Sequence, residues 1–213
     1  MPFQLPASTQ VNLPIHKKEL EDKLRGKHRK TLSEGIQRID WLYKLSTETT
    51  NIPSGGIQEF QVIQVQLKKR ESVLATLTQL DKQIPYPIIW VQRHENAIIL
   101  STSVKHVHPL DNAKMVIDHT FSTEWLNDAQ SHYSLTLSGT LEEVYARFCQ
   151  SFSLVATPPT ALADHIVQTK EIEQLNRRVQ QLEAKIKACK QFNKKVELNR
   201  ELREVKNKLG ELK

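Results

Sequence analysis

The last fifty residues carry the pattern that leaves this chain fewest options. Ile172, Leu175, Val179, Leu182, Ile186 and Cys189 follow a 3-4-3-4-3 spacing, and Leu198, Leu202, Val205, Leu209 and Leu212 repeat at 4-3-4-3. Apolar residues three and four apart share one face of an α-helix, and over successive heptads they make a coiled-coil seam. Such an edge has to be buried on itself, on a second copy or on another protein. From Cys189 to Leu198 is nine residues, where a continued seam needs seven, so the stripes are out of phase, with Phe192 and Val196 between them. Residues 164–213 are therefore one helix with a rotating seam, about 75 Å long, or a helical hairpin bent around Lys190 to Lys194.

Upstream, Thr157-Pro158-Pro159-Thr160 marks a boundary, because paired prolines disfavour helix and stiffen a linker. We expect an α/β domain over 1–156, a linker over 157–163 and a coiled-coil tail over 164–213. Residues 1–15 read as an extended arm and Lys17 to Arg25 as a short helix broken by Gly26. Thr31 to Lys44 reads as a second helix, with Leu32, Ile36, Ile39 and Tyr43 on a 3.6-residue stripe. Leu45 to Gly56 is loop. Glu59 to Lys68 is a strand, Glu71 to Lys82 a helix and Pro87 to Gln92 a strand, which together make a right-handed βαβ unit. The polar turn at Arg93 to Asn96 predicts a hairpin into Ala97 to Lys105. Met115 to Ser122 and His132 to Leu137 are further strands. Thr140 caps a last helix, Leu141 to Phe152, with Glu143 at the third helical position. The order ααβαββββα is a mixed-sheet α/β arrangement, α+β-like, with a C-terminal coiled-coil helix or helical hairpin.

The 213 residues suffice for one core plus an appendage. The net charge of +6 divides into +4 over 1–44, −3 over 45–163 and +5 over 164–213. The basic ends, with Lys27, Arg29, Lys30, Arg177, Arg178, Lys194 and Lys195, are candidate nucleic-acid contacts. The mixed signs of the tail fit a solvated helix face better. Two distant cysteines, Cys149 and Cys189, make neither a disulfide framework nor a zinc site and suit a reducing compartment. The opening residues lack the basic and apolar regions of a signal peptide, and no apolar run approaches membrane-helix length. A cytoplasmic chain without membrane partners is expected.

Catalytic signals are sparse. A restriction-like nuclease places an acid before a β-hairpin and an acid-x-Lys triplet on the next strand, to hold Mg²⁺. Here Gln66-Leu67-Lys68 ends a strand, with Glu59 and Asp40 upstream, but an amide at Gln66 is a poor Mg²⁺ ligand. His106, His108, Asp118 and His119 fall on neighbouring strands and are better read as solvent-facing than as metal ligands. There is no Walker loop, GxGxxG or GxSxG motif, and Gly55-Gly56 reads as a turn. Trp41, Trp90, Trp125, Tyr43 and Tyr86 are expected in the core. We expect no catalytic residue, no metal and no cofactor.

Several phrases resemble a bacterial and archaeal family of uncharacterised proteins, domain-of-unknown-function family 4391. They are Phe3-Gln4-Leu5-Pro6-Ala7-Ser8-Thr9 with Val11-Asn12, Trp41-Leu42-Tyr43-Lys44-Leu45-Ser46, Ile84-Pro85-Tyr86-Pro87-Ile88, Thr123-Glu124-Trp125-Leu126 and Gln191-Phe192-Asn193-Lys194-Lys195-Val196-Glu197-Leu198-Asn199. The resemblance implies a place beside helicases and DNA methyltransferases of type III restriction or phage-defence modules. It carries no assigned catalytic residue, and implies an acid where this chain has Gln66. The resulting expectation is a non-enzymatic accessory subunit. It pairs through Ile172, Leu175, Val179, Leu182, Ile186, Leu198, Leu202, Val205 and Leu209 with a helicase or methyltransferase subunit or a second copy, and DNA contact comes second. A divergent nuclease using Glu59 and Lys68 is the remaining alternative.

Overall fold

The computed structural model describes residues 3–130, 133–153 and 161–212. In chain order its elements are β1 (Gln10–Pro14), α1 (Lys17–Glu21), α2 (Lys27–Glu34), β2 (Ile36–Ser46), α3 (Thr47–Thr50), β3 (Glu59–Leu67), α4 (Leu74–Asp81), β4 (Ile88–His94), β5 (Ala97–His108), β6 (Asp111–Ser122), β7 (Leu126–Asn127), α5 (Leu141–Gln150), α6 (Leu162–Ala188) and α7 (Phe192–Glu211). The chain divides into two compact units, Met1–Phe152 and Ser153–Lys213. The linker residues Thr157 to Thr160 lie outside the described residues, as does His132. Among the described residues no helix is long and apolar enough to cross a membrane.

The first unit is built on a seven-stranded mixed sheet in the order β1-β2-β3-β4-β5-β6, with β7 beside β5. β3 and β4 are parallel and joined through α4, as the βαβ reading expects, and every other pairing is antiparallel. Residues 133–137 form no strand, so the fourth consecutive strand expected there is replaced by an irregular segment.

The largest departure is at 36–46. The expected helix from Thr31 ends at Glu34, and β2 begins two residues later. β2 is interior, paired with β1 on one side and β3 on the other, and it carries register shifts between Ile36 and Arg38 and between Trp41 and Tyr43. A bulge adds one residue to a strand, so neighbours on one face become three apart instead of two. Ile36 and Ile39, opposite Leu67 and Val65, share one face, while Asp40 and Tyr43, opposite Gln64 and Val62, share the other. These intervals of three imitate a helical stripe.

Each face of the sheet has its own cover. On one side α1, α2 and α4 contribute Leu20, Leu32, Leu77 and Leu80, and the turn between α1 and α2 adds Leu24, to a core with Ile39, Ile63, Val65, Ile88 and Trp90. On the other, α5 packs Tyr145 against Phe60 and Phe148 against Phe3, with ring centroids 5.7 Å apart in each pair. The expected extended arm thus supplies an edge strand and a core phenylalanine. Tyr145 is fully buried, and its hydroxyl shares a 2.8 Å hydrogen bond with Thr102 and donates to the Ser103 carbonyl at 3.0 Å. α5 starts with the expected capping box: Thr140 Oγ1 accepts from Glu143 N, and Glu143 Oε2 accepts from Thr140 N. Gly55-Gly56 does more than turn the chain. Gly56 N donates to Glu142 Oε2 at 2.7 Å, and a Cβ on Gly55, whose φ is +65°, would sit 3.0 Å from Glu142 Cβ.

Candidate interaction site

The second unit resolves the alternative left open by the heptads. α6 stops at Ala188 and α7 starts at Phe192, and the flanking Cys189 and Gln191 have extended backbone, with ψ of 124° and 123°. The two helices form an antiparallel hairpin. The out-of-phase interval is the turn itself. Polar contacts set the register: Gln168 Nε2 donates to the Leu212 carbonyl at 3.2 Å, Lys208 pairs with Glu171 at 2.8 Å, and Arg178 makes a two-atom contact with Glu201; the Lys206 side chain reaches along the hairpin to Glu183 at 2.8 Å.

The predicted seam residues lie along this hairpin. Ile172 and Leu182 are buried. Leu175, Val179, Ile186, Leu198, Leu202, Val205 and Leu209 are half-buried. The pairing of α6 with α7 therefore supplies part of the cover that a lone helix would have sought elsewhere. A two-helix pair covers each apolar stripe from one side, and a third or fourth helix is the usual completion.

The predicted basic residues divide between the units. Lys27, Arg29 and Lys30 lie on α2 and are exposed; Arg29 pairs with Glu21 at 3.0 Å and Lys30 with Glu34 at 3.8 Å. Arg177 and Arg178 are on α6, paired with Glu173 and Glu201. Lys194 and Lys195 stand exposed in the first turn of α7.

The nuclease positions do not converge. Asp40 lies opposite Gln64 and Arg38 opposite Gln66 on one face. Asp40 accepts from Arg38 Nε at 2.6 Å, and Gln64 Oε1 accepts from Arg93 Nε at 2.9 Å. Where a metal site needs several carboxylates, this row holds one carboxylate, two amides and two guanidiniums. Glu59 begins β3 and Lys68 follows its end, about 30 Å of extended chain away. Glu59 pairs with Lys44 at 3.0 Å and raises its pKa through a hydrogen bond and opposite charge, while Lys68 Nζ donates to the Ser33 carbonyl. The histidines separate likewise. His106 pairs with Asp118 at 3.0 Å, His108 Nδ1 accepts from Leu110 N, and His119 packs edge-on against Phe121. Among the described residues no three His, Cys, Asp or Glu side chains come together to hold a metal ion.

Sequence reasoning missed one electrostatic cluster. Asp81, at the end of α4, and Lys105, on β5, have side chains 2% and 1% exposed. Lys105 Nζ donates to the Asp81 carbonyl at 2.9 Å and lies 3.5 Å from its Oδ1. Trp90 Nε1 and Ser103 Oγ donate to the same carboxylate at 3.2 and 2.8 Å. Burial pushes the Asp81 pKa up and the Lys105 pKa down, and their attraction opposes both shifts. The signals were present: Asp81 follows Leu77 by four on the apolar face of α4, and Lys105 continues the inward alternation of Ser101 and Ser103. Perturbed pairs mark active sites as well as cores, but this one is closed to solvent and serves as a structural clamp between α4 and β5.

No curated protein and no solved structure matches the chain. The family model described as domain of unknown function (DUF4391) matches residues 3–209, from the phenylalanine that packs on α5 to the last turns of α7, and the chain belongs to that family.

Proposed function

We propose that this chain is a non-enzymatic accessory subunit that docks through its C-terminal helical hairpin in a restriction-modification-like or phage-defence complex. The observation that carries the reading is the incomplete cover of the seam, with Leu175, Val179, Ile186, Leu198, Leu202, Val205 and Leu209 all half-buried. Burying apolar area is worth about 25 cal/mol per Å², so helices that cover this stripe gain stability without a change in the fold of the first unit. A helicase or methyltransferase subunit, as the family resemblance implies, or a second hairpin from another copy, supplies such helices.

The test is co-purification with helicase and methyltransferase subunits of such a module, with light scattering on the chain alone. Leu175→Asp with Leu202→Asp places two charges in the seam and abolishes association while circular dichroism shows the helices intact. A monodisperse monomer that captures neither subunit overturns the reading, as does a double variant that associates as before.

A further inference from the structure

The turn of the hairpin collects positive charge. Residues 184–196 contain Lys185, Lys187, Lys190, Lys194 and Lys195 and no acid. They flank the Cys189–Gln191 turn, so an antiparallel hairpin gathers them at one end. All five are exposed. Along the body of the hairpin Arg177, Arg178, Arg200, Lys206 and Lys208 each have a carboxylate partner, with Lys170 and Arg203 the exceptions among the described residues. Among the described residues the five lysines at the turn have none.

Lys185 and Lys187 suit the negative end of the α6 dipole. Lys194 and Lys195 do the opposite, because they sit in the first turn of α7, which contains no acidic residue. Like charge at that end costs folding energy. An exposed aromatic accompanies them: Phe192 is 78% exposed and Val196, one helical turn on, 52% exposed. A cationic surface with a projecting aromatic ring matches a flexible polyanion with unpaired bases, because lysines neutralise phosphates and every base offers a face for stacking. An anionic membrane shares the charge but needs a broader apolar face than two side chains provide.

We propose that the hairpin turn binds single-stranded nucleic acid, with the lysines on successive phosphates and the Phe192 ring stacked on an unpaired base. The probes are fluorescein-labelled 20-nucleotide oligothymidylate and oligouridylate, read by anisotropy with the full chain at 50 and 200 mM salt. Sedimentation with vesicles containing phosphatidylserine runs in parallel. Five phosphate contacts on a single strand predict that affinity falls roughly 100-fold between the two salts. Replacing Lys187, Lys190, Lys194 and Lys195 by Gln weakens binding at least tenfold and flattens the salt dependence, and Phe192→Ala weakens it about tenfold. Phe192 packs on little, so its variant remains informative if the lysine variant loses helicity. Binding to either oligonucleotide with these losses supports the proposal and distinguishes DNA from RNA. Wild-type affinity in the Phe192 variant, or capture by vesicles with neither oligonucleotide bound, overturns it.

Discussion

Removing one partner of the buried Asp81–Lys105 pair is the most stringent test of the first unit. Lys105→Met keeps the length and apolar stem of the lysine and deletes its charge. Asp81 then remains buried without a counter-ion. Breaking such a pair costs about 3–5 kcal/mol. The donors from Trp90 and Ser103 remain in place, so we place the cost near 3 kcal/mol. For a unit of this size that lowers the thermal midpoint by roughly 10 °C. Adding Asp81→Asn removes the orphaned charge and retains an acceptor, and the deficit falls to about 1 kcal/mol. The pH dependence has a definite sign. Burial already raises the Asp81 pKa, and Lys105 is the strongest influence holding it down. In Lys105→Met the native pKa rises further above that of the unfolded chain, so between the two values the native state binds the extra proton. The deficit is full above the raised native value and shrinks as pH falls through it toward the ordinary carboxyl range. Urea unfolding followed by circular dichroism at pH 7 and pH 5 measures both effects. Equal destabilisation in the single and double variants, or a deficit independent of pH, refutes the reasoning.

Two further outcomes follow from the same structure. Cys149 is buried, and burial pushes its thiol pKa well above the ordinary range, whereas Cys189 is partly exposed beside the hairpin turn. An alkylating reagent at pH 8 therefore modifies Cys189 alone until the first unit unfolds; early labelling of Cys149, read by mass spectrometry of the peptides, contradicts the assignment. Thr140→Ala deletes the hydroxyl that accepts from Glu143 N and costs about 1 kcal/mol of stability in urea, while an unchanged midpoint means that the capping box contributes nothing.

Local pattern carried a large part of the architecture. The βαβ unit is legible because β3, α4 and β4 each keep one period and are separated by turn chemistry. The hairpin from β4 to β5 and the cap at Thr140 are legible because a short polar turn and a Thr-x-x-Glu box act within a few residues. Membership of the family is legible from phrases spread along the chain. The seam residues were visible as a stripe for the same reason: heptad spacing is a property of the helix itself.

What the tertiary structure decided depends on partners distant in sequence. Residues 36–46 are strand because β1 and β3 supply hydrogen bonds on both edges, and two bulges space their apolar residues like a helix. Gln10–Pro14, an arm by composition, becomes an edge strand only because β2 offers a free edge. Asp81 and Lys105 are 24 positions apart, and no local rule joins them. The heptad stripes required cover but could not name it. The extended backbone at Cys189 and Gln191 turns the second stripe back alongside the first. That one reversal leaves the seam half-buried and sets five lysines and a phenylalanine at a common end.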